Sequence, residues 1–218
     1  MNVFIMGITG RTGARVAQLL TSQGHRVIGL YRRKSDASKL LEIGAYGVAG
    51  DIATITERVL ADAIKGSDVL VFTAGAGESD DESMIDAVDY GGVEKAIAAL
   101  RMVGLSRLLL VSVFPEAARE ECFGESFEHY ISAKKKADVA VADSGLDWII
   151  LRPSSLKDDA GTGRVSLKLA NFHTEITRND LAATVVALLH APSITRKILE
   201  LTAGDQPIAS AVSAIQLS

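Results

Sequence analysis

Hydrophobic runs alternate with amphipathic segments from one end of the chain to the other. Strands that are apolar on both faces, separated by helical patterns, are typical of a parallel sheet covered by helices on both sides. The pattern therefore predicts an α/β fold with a doubly wound, mostly parallel sheet of about six to seven strands. The predicted strands are NVFIMG, HRVIGLY, YGVAGD, DVLVFTAGAG, RLLLVSVF, DWIILRP and RKILELTAG.

Helical periodicity fills the intervals between these runs. The predicted helices cover approximately residues 12–23, 35–43, 54–65, 83–103, 126–144, 179–190 and 207–214. Two stretches without periodicity, PEAAREECFGES and SSLKDDAGTGR, each follow the end of a strand. Ligands of open α/β sheets bind beyond the carboxyl ends of the strands, so we expect substrate-side loops at about 114–127 and 154–178. No linker divides the chain, and a single domain over residues 1–218 is expected.

The composition narrows the class of protein. The 218 residues are 48% hydrophobic and 23% charged, as in ordinary globular proteins. A net charge of -4 gives no general attraction to nucleic acid or anionic lipid, and the N-terminus resembles no secretory signal. The single cysteine, Cys122, cannot form an internal disulfide and lacks metal-ligand spacing around it. We expect a cytoplasmic protein without a metal, a membrane or a nucleic-acid partner, either monomeric or homodimeric.

The segment MGITGRTGARVAQLL follows the first predicted strand and opens the first predicted helix. Gly7 permits a tight turn, Gly10 lets the backbone approach a pyrophosphate, and Gly13 allows close packing of helix on strand. Free N–H groups at the start of the helix would face the anion. An ordinary turn is the alternative, but the strand before and the helix after favour a dinucleotide site. The candidate cofactor contacts in this turn are Gly7, Thr9, Gly10, Arg11, Thr12 and Gly13.

The second predicted strand ends in YRRKS, which bears on the choice of coenzyme. NAD-selective sites place an acid here for the ribose 2'-hydroxyl. Arg32 and Arg33 stand there instead, and guanidinium groups suit a 2'-phosphate because they are planar, charged donors. Arg11 could join them. The alternative is that they are solvated loop charges, but the pattern favours NADP over NAD.

Two further strand ends carry candidate cofactor contacts. Asp51 and Ile52 follow the third predicted strand, and Thr73, Ala74 and Gly75 follow the fourth. Asp51 could accept a hydrogen bond from the adenine amine, while the small residues would let the cofactor pass close over the backbone. Either segment alone would also be compatible with an ordinary turn.

Taken together, these segments resemble the short-chain dehydrogenase/reductase superfamily, and specifically its atypical NAD(P)-binding members with a G-x-x-G-x-x-G turn, related to the NmrA-like and flavin and biliverdin reductase groups. The resemblance covers nearly the whole chain and implies a Rossmann-type fold. It further implies that the tyrosine of Y-x-x-x-K is the catalytic acid, and that the lysine binds the nicotinamide ribose and lowers the pKa of the tyrosine. Tyr130, Lys134 and Pro153, the last beside the nicotinamide, occupy the matching places. The matching segments are GITGRTG, GDI, FTAGAG, VDYGGVEKAI, LLLVS, YISAK, SGLDWIILRPSSL and EITRNDLAATVVALL.

The chemistry of this pair agrees with that role. Hydride delivery to a carbonyl or imine builds negative charge that needs a proton, and a cation one helical turn away favours the phenolate of Tyr130. The alternative is that Tyr130 and Lys134 merely share a helix face. Ser112 departs from the family pattern, because it ends the fifth strand in LLVSVFPEA outside any serine-rich run. It could polarise a substrate carbonyl, touch the nicotinamide or simply cap the strand.

The sequence therefore predicts an NADPH-dependent oxidoreductase that reduces a small-molecule acceptor. About 65 residues follow LRP, so we expect a shallow pocket built from loops, which suits a planar flavin, quinone or tetrapyrrole. Two alternatives stay open. One is a non-catalytic NADP(H)-sensing regulator, and the other is a nucleotide-sugar epimerase or dehydratase that holds NAD tightly.

Overall fold

The structure, a computed structural model, describes residues 1–76, 81–116 and 124–217. Its strands are β1 (Asn2–Met6), β2 (Arg26–Tyr31), β3 (Tyr46–Ala49), β4 (Val69–Phe72), β5 (Arg107–Val111), β6 (Asp147–Pro153), β7 (Ser155–Lys157), β8 (Arg164–Lys168), β9 (Glu175–Thr177), β10 (Lys197–Ala203) and β11 (Gln206–Pro207). Its helices are α1 (Arg11–Ser22), α2 (Lys34–Glu42), α3 (Glu57–Ile64), α4 (Glu82–Ile85), α5 (Gly91–Val103), α6 (Glu125–Ala142), α7 (Arg178–Leu189) and α8 (Ile208–Gln216). A π-helical turn, Asp86–Tyr90, joins α4 to α5.

The sheet is the predicted doubly wound one. Its strands lie in the order β11-β8-β10-β6-β5-β4-β1-β2-β3, and the seven predicted strands, β1 to β6 and β10, pair in parallel. The chain winds one way from β1 to β2 and β3, and the other way through β4. At such a switch point the loops beyond β1 and β4 separate and leave a crevice for a ligand.

Alternation along the strands divides the core into two layers. In β1, Val3 and Ile5 pack into one hydrophobic cluster, and Phe4 and Met6 pack into the other. Contacts between α1 and α7 lie on the first side, and α3, α5 and α6 pack together on the second. Burying each large apolar side chain contributes about 1.5–3 kcal/mol, so a strand that is apolar on both faces is stable only between two such layers.

Two predicted segments differ in the structure. The single helix predicted over 83–103 is instead α4, the π-helical turn and α5. The predicted substrate-side loop 154–178 contains β7, β8 and β9, of which β7 and β9 form a separate two-stranded parallel sheet. These strands are only three to five residues long, too short for a period of two to stand out.

The other predicted loop, 114–127, is described only in part, because residues 117–123, Cys122 among them, lie outside the described residues. Its end already belongs to α6, which begins at Glu125. Among the described helices, none combines the length and the apolar character needed to cross a lipid bilayer.

Candidate functional site

The turn between β1 and α1 lies against the end of β4. Gly7 has φ +90°, and a Cβ built on it would lie 2.6 Å from the backbone nitrogen of Ala74. A Cβ on Gly13 would lie 2.1 Å from the carbonyl oxygen of Gly7. A Cβ on Gly10 would meet only that same oxygen, at 3.2 Å, among described atoms within 4 Å. Two of the three glycines are therefore required by packing, while Gly10 leaves the backbone open.

The N-terminus of α1 fits a phosphate group. Gly10 is its N-cap residue, and among the described residues no side chain caps the helix and no acid stands in its first turn. The first N–H groups of a helix need partners, and the helix dipole favours a negative charge there. The uncapped helix and the bare backbone at Gly10 are what a dinucleotide pyrophosphate needs.

The basic residues expected at the adenosine end lie in two different places. Arg32 is exposed, and its Nη1 lies 4.0 Å from Oδ2 of Asp51, so these two candidates do come together. Arg33, also exposed, pairs at 3.1 Å with Asp36. Arg11 does not join them, since its guanidinium pairs with Asp158 at 3.1 Å. Of the three arginines, only Arg32 and Arg33 lie at the end of β2.

The remaining cofactor candidates have mixed surroundings. The hydroxyl of Thr73 donates to the carbonyl of Met6 at 3.1 Å, so this side chain is used in the packing of the turn. Ile52 packs on Gly92, and a Cβ built on Gly92 would lie 2.6 Å from Cγ2 of Ile52. Ala74 and Pro153 are buried at the ends of β4 and β6. In the glycine turn, Thr9 is exposed and Thr12 is half-buried.

Tyr130 and Lys134 are brought together on α6. The ammonium of Lys134 lies 5.6 Å from the centroid of the Tyr130 ring, and the lysine is buried. A Cβ built on Gly75 would come within 3.9 Å of the same ammonium, so the pair adjoins the end of β4. Tyr130 and Lys134 thus approach the end of β4, which the glycine turn also contacts.

Asp89 is a residue of this site that the sequence analysis did not single out. It is fully buried on the π-helical turn, and its Oδ1 lies 2.7 Å from Nζ of Lys134. Its Oδ2 accepts a hydrogen bond from the backbone of Ala76 at 2.8 Å. A π-helical turn adds a residue to the repeat and so changes which side chains face inward. The only signal in the sequence was its place in the segment VDYGGVEKAI.

Opposing effects set the pKa values of this pair. Burial raises the pKa of Tyr130, Lys134 opposes this shift and Asp89 adds to it, so the net pKa lies above its ordinary value. The resemblance implied that Lys134 lowers the pKa of Tyr130, and Lys134 does act in that direction, but burial outweighs it and Asp89 adds to the rise. Burial disfavours the charged form of Lys134, but Tyr130, Asp89 and Asp138 outweigh it and raise the pKa of the lysine.

Ser112 lies at the end of β5 beside a second buried carboxylate. Arg152 binds Asp138 through Nε at 2.9 Å and Nη2 at 2.8 Å. Burial raises the pKa of Asp138, whereas the Ser112 hydroxyl and Arg152 lower it. Oγ of Ser112 and Oδ1 of Asp138 are both buried, and neither makes a hydrogen bond of regular geometry within the described residues. The Ser112 hydroxyl therefore lies close enough to Asp138 to lower the pKa of that carboxyl, although the contact falls short of regular hydrogen-bond geometry.

No cluster of His, Cys, Asp and Glu that could hold a metal ion is found in the described part of the chain. Taken together, the uncapped α1, the glycine turn, the two arginines after β2 and the contact between Tyr130 and Lys134 on α6 fit a dinucleotide coenzyme.

Comparisons with known proteins agree with this fit. The model of a family described as NAD(P)H-binding matches residues 7–192. The uncharacterized sugar epimerase YhfK of Bacillus subtilis is 34% identical, with 97% of this chain and 99% of that protein covered. A Bacillus halodurans protein proposed to be an NAD-dependent epimerase/dehydratase superposes with a TM-score of 0.89 at 27% identity, covering 98% and 99% of the two chains. ChuY, an anaerobillin reductase from Escherichia coli O157:H7, superposes with a TM-score of 0.79 at 25% identity, covering 94% and 98%.

Proposed function

This chain belongs to the NAD(P)H-binding family and is an atypical short-chain dehydrogenase/reductase, and from that premise we propose that it is an NADPH-dependent reductase of a planar acceptor. The observation that carries the proposal is the contact of the half-buried Tyr130 with the buried Lys134 and Asp89 beside the end of β4. A protein that only binds coenzyme has no need of an acid held in this way.

The roles follow from position. The backbone from Gly7 to Gly13 and the start of α1 hold the pyrophosphate, and Arg32 and Arg33 hold the 2'-phosphate. The coenzyme, when bound, supplies the hydride. Tyr130 donates the proton from its hydroxyl to the acceptor atom that has gained negative charge, and a raised pKa keeps that proton in place at neutral pH.

Lys134 and Ser112 support the transfer. Lys134, held by Asp89, offers its ammonium to the nicotinamide ribose and stabilises the phenolate that Tyr130 becomes. Ser112 ends β5 next to Asp138, and its hydroxyl hydrogen-bonds the acceptor or the nicotinamide end of the coenzyme.

A planar acceptor suits the substrate side of the crevice. Phe114, just after β5, contacts the ring of His173 edge-on with centroids 5.4 Å apart. Phe172, which precedes His173 in the sequence, is 87% exposed. Exposed aromatic side chains stack on flat ring systems such as flavins, quinones and tetrapyrroles. The similarity to ChuY, which is named a reductase, supports this choice.

A second candidate is a sugar epimerase, which the name of YhfK favours. An epimerase must first remove a proton from its substrate, and Tyr130 would then serve as a base. The raised pKa of Tyr130 favours an acid instead, and Arg32 and Arg33 favour NADP over a tightly held NAD.

Calorimetric titration of NADPH and NADH tests the coenzyme assignment. We expect NADPH to bind about 10-fold or more tightly, and the double variant Arg32→Gln/Arg33→Gln to lose that preference, because each charged contact to the phosphate is worth about 1.5–3 kcal/mol. Arg58→Gln, which changes an exposed arginine of α3, is the matched control. Equal affinities for the two coenzymes would contradict the NADP assignment.

Oxidation of NADPH is then followed with FMN, menadione and biliverdin as acceptors. A reductase is supported if the wild type oxidises NADPH with one of these acceptors and Tyr130→Phe abolishes that oxidation. Protein purified with bound NAD, inert towards all three acceptors, would favour the epimerase.

A further inference from the structure

Three arginines converge on one carboxylate next to the glycine turn. Arg11 Nη1 and Arg178 Nη1 lie 3.1 and 2.9 Å from Oδ2 of Asp158, and Arg15 Nη2 lies 3.3 Å from its Oδ1. Arg178 is buried, with 9% of its side chain exposed, whereas 46% of the Asp158 side chain is exposed. We call Arg11, Arg15 and Arg178 the arginine cluster.

The arginine cluster stands where two helices begin. Arg11 is the first residue of α1 and Arg178 is the first residue of α7. Helices that connect parallel strands start at the edge where the strands end, so both N-termini point their positive ends to the same region. In α7 the acid of the first turn, Asp180, opposes the positive end of the helix. Its carboxylate also accepts hydrogen bonds from the backbones of Thr162 and Gly163 at 2.9 and 2.7 Å.

The positive charge of the arginine cluster exceeds what Asp158 neutralises. Three guanidinium groups offer 15 N–H donors on the ordinary count of five each, while one carboxylate accepts about four. Arg15 also donates hydrogen bonds from Nε to Oδ1 of Asn179 at 2.9 Å and from Nη1 to the carbonyl of Arg11 at 2.7 Å. Arg178 also reaches the carbonyl of Leu156 at 3.4 Å. The neighbouring Asp159 is exposed and has no ion pair with any described residue.

The arginine cluster lies apart from the arginines assigned to the 2'-phosphate. Arg32 and Arg33 follow β2, which lies on one side of β1 in the sheet. Helix α7 packs on α1 and leads into β10, on the other side of β1, the same half of the sheet in which α6 links β5 to β6. The cluster therefore belongs to the same half of the strand order as α6, although α1 and α7 cover one face of the sheet and α6 covers the other.

A groove continues from the arginine cluster between α1 and α7. It has a volume of about 510 Å³ and is lined by Arg15, Gln18, Gly161, Asn179 and Ala183, among others. Because Gln18 lies about one turn beyond Arg15 on α1, the groove leads away from the carboxyl ends of the strands, and only its end at the arginine cluster adjoins the glycine turn.

We propose that the arginine cluster binds a carboxylate or phosphate group of the acceptor, and that Asp158 occupies this site until the acidic group of the ligand joins or replaces it. The proposal rests on the proposed function only in taking the ligand to be the acceptor. Asp158 lies five residues beyond Pro153 in a substrate-side loop, so an acidic ligand bound here would also fix that loop beside the coenzyme. The acceptor of this reductase is accordingly an acid-bearing molecule.

Calorimetric titration of inorganic phosphate into protein saturated with NADP tests the proposal without any turnover. The coenzyme fills its own phosphate sites, so the remaining heat reports on the arginine cluster. We expect Arg15→Gln to weaken phosphate binding about 5- to 10-fold, since it removes one charge-assisted donor. Asp158→Asn should tighten binding by a similar factor because it removes the competing carboxylate, and Arg58→Gln on α3 should leave binding unchanged.

Loss of all phosphate binding in the presence of NADP would overturn the proposal, because the arginines would then belong to the coenzyme site. Equal affinities in the wild type, Arg15→Gln and Asp158→Asn would overturn it as well. If Asp158→Asn does not fold, the change of the half-buried Arg15 decides alone. If NADP itself does not bind, the proposed function fails, and the same titration in Arg32→Gln/Arg33→Gln still tests the arginine cluster.

Discussion

Oδ1 of Asp89 lies 2.7 Å from Nζ of Lys134, and the two side chains are 0% and 5% exposed. A fully buried carboxylate at this distance fixes the ammonium in one place. It also opposes the effect of that ammonium on its other neighbour, the phenol of Tyr130, because the two charges act on the phenol with opposite sign. The pair therefore positions Lys134 while keeping Tyr130 protonated, which suits a proton donor.

Replacing Asp89 by Asn should lower the pKa of Tyr130. Burial is the main cause of the raised pKa and stays in place, but the substitution removes the negative charge that adds to the rise and leaves the charge of Lys134 uncompensated. Titration of the phenolate absorbance, taken as the difference from the same protein carrying Tyr130→Phe, measures the shift. An unchanged or higher pKa would contradict the account. Asp62→Asn, on the exposed pair with Arg58, is the control that should shift nothing.

The same substitution should reduce stability. Breaking a buried ion pair by removing one partner costs about 3–5 kcal/mol, because the other charge stays buried. Asn can still accept the hydrogen bond from Ala76, so we expect about 3 kcal/mol at the lower end of that range. Urea unfolding measures the loss. Restoring stability with Lys134→Met in the Asp89→Asn background would show that the uncompensated ammonium, rather than a packing defect, is the cause.

Tyr130→Phe should separate chemistry from binding. With an acceptor that the wild type reduces, we expect turnover to fall about 10²- to 10⁴-fold, the usual contribution of a general acid. NADPH affinity should stay within about 2-fold, since the hydroxyl makes no phosphate contact in the proposed arrangement. Tyr46→Phe, which changes an exposed tyrosine of β3, is the matched control. A variant with full turnover would remove Tyr130 from the mechanism.

The fold could be predicted from the sequence because each of its main strands is apolar on both faces. In β1 and β4 every interior position is occupied by a large apolar side chain, and only a two-sided burial explains such runs. The glycine turn could be predicted for the same reason: it joins a clear strand to a clear helix. The short strands β7, β8 and β9 could not, because tertiary pairing rather than local periodicity defines them.

The parts of the site that escaped prediction depend on contacts between distant segments. Asp89 occupies a helical position where an acid is usually solvated, and only the π-helical turn and the approach of α6 make it a partner of Lys134. Arg11 was grouped with Arg32 by proximity to the coenzyme, but its partner Asp158 is 147 residues away. A single sequence carries no local signal for either pairing.

The stability of the protein should fall at high pH. Tyr130 and Lys134 both have raised pKa values in the folded state, so they hold their protons more tightly than in the unfolded chain. Their contribution is complete below the ordinary values of about 10 and 10.4, and it is lost as pH rises through the folded values. The free energy of unfolding, measured in urea at about six pH values between pH 8 and pH 11, tests this loss. Tyr130→Phe should weaken the dependence of the unfolding free energy on pH, whereas Tyr46→Phe should leave that dependence unchanged.

Two glycines of the same turn should respond differently to alanine. A Cβ on Gly13 would lie 2.1 Å from the carbonyl oxygen of Gly7, a backbone atom that cannot move aside, so Gly13→Ala should destabilise the fold by about 1–3 kcal/mol or more. A Cβ on Gly10 would meet that oxygen at 3.2 Å, which a small shift relieves, and stability should change by less than about 1 kcal/mol. The same methyl group would stand where the pyrophosphate approaches α1, so Gly10→Ala should weaken NADPH binding about 10-fold or more. Thermal unfolding and calorimetry of the two variants measure both effects, and a Gly10→Ala protein that binds NADPH as tightly as the wild type would place the pyrophosphate elsewhere.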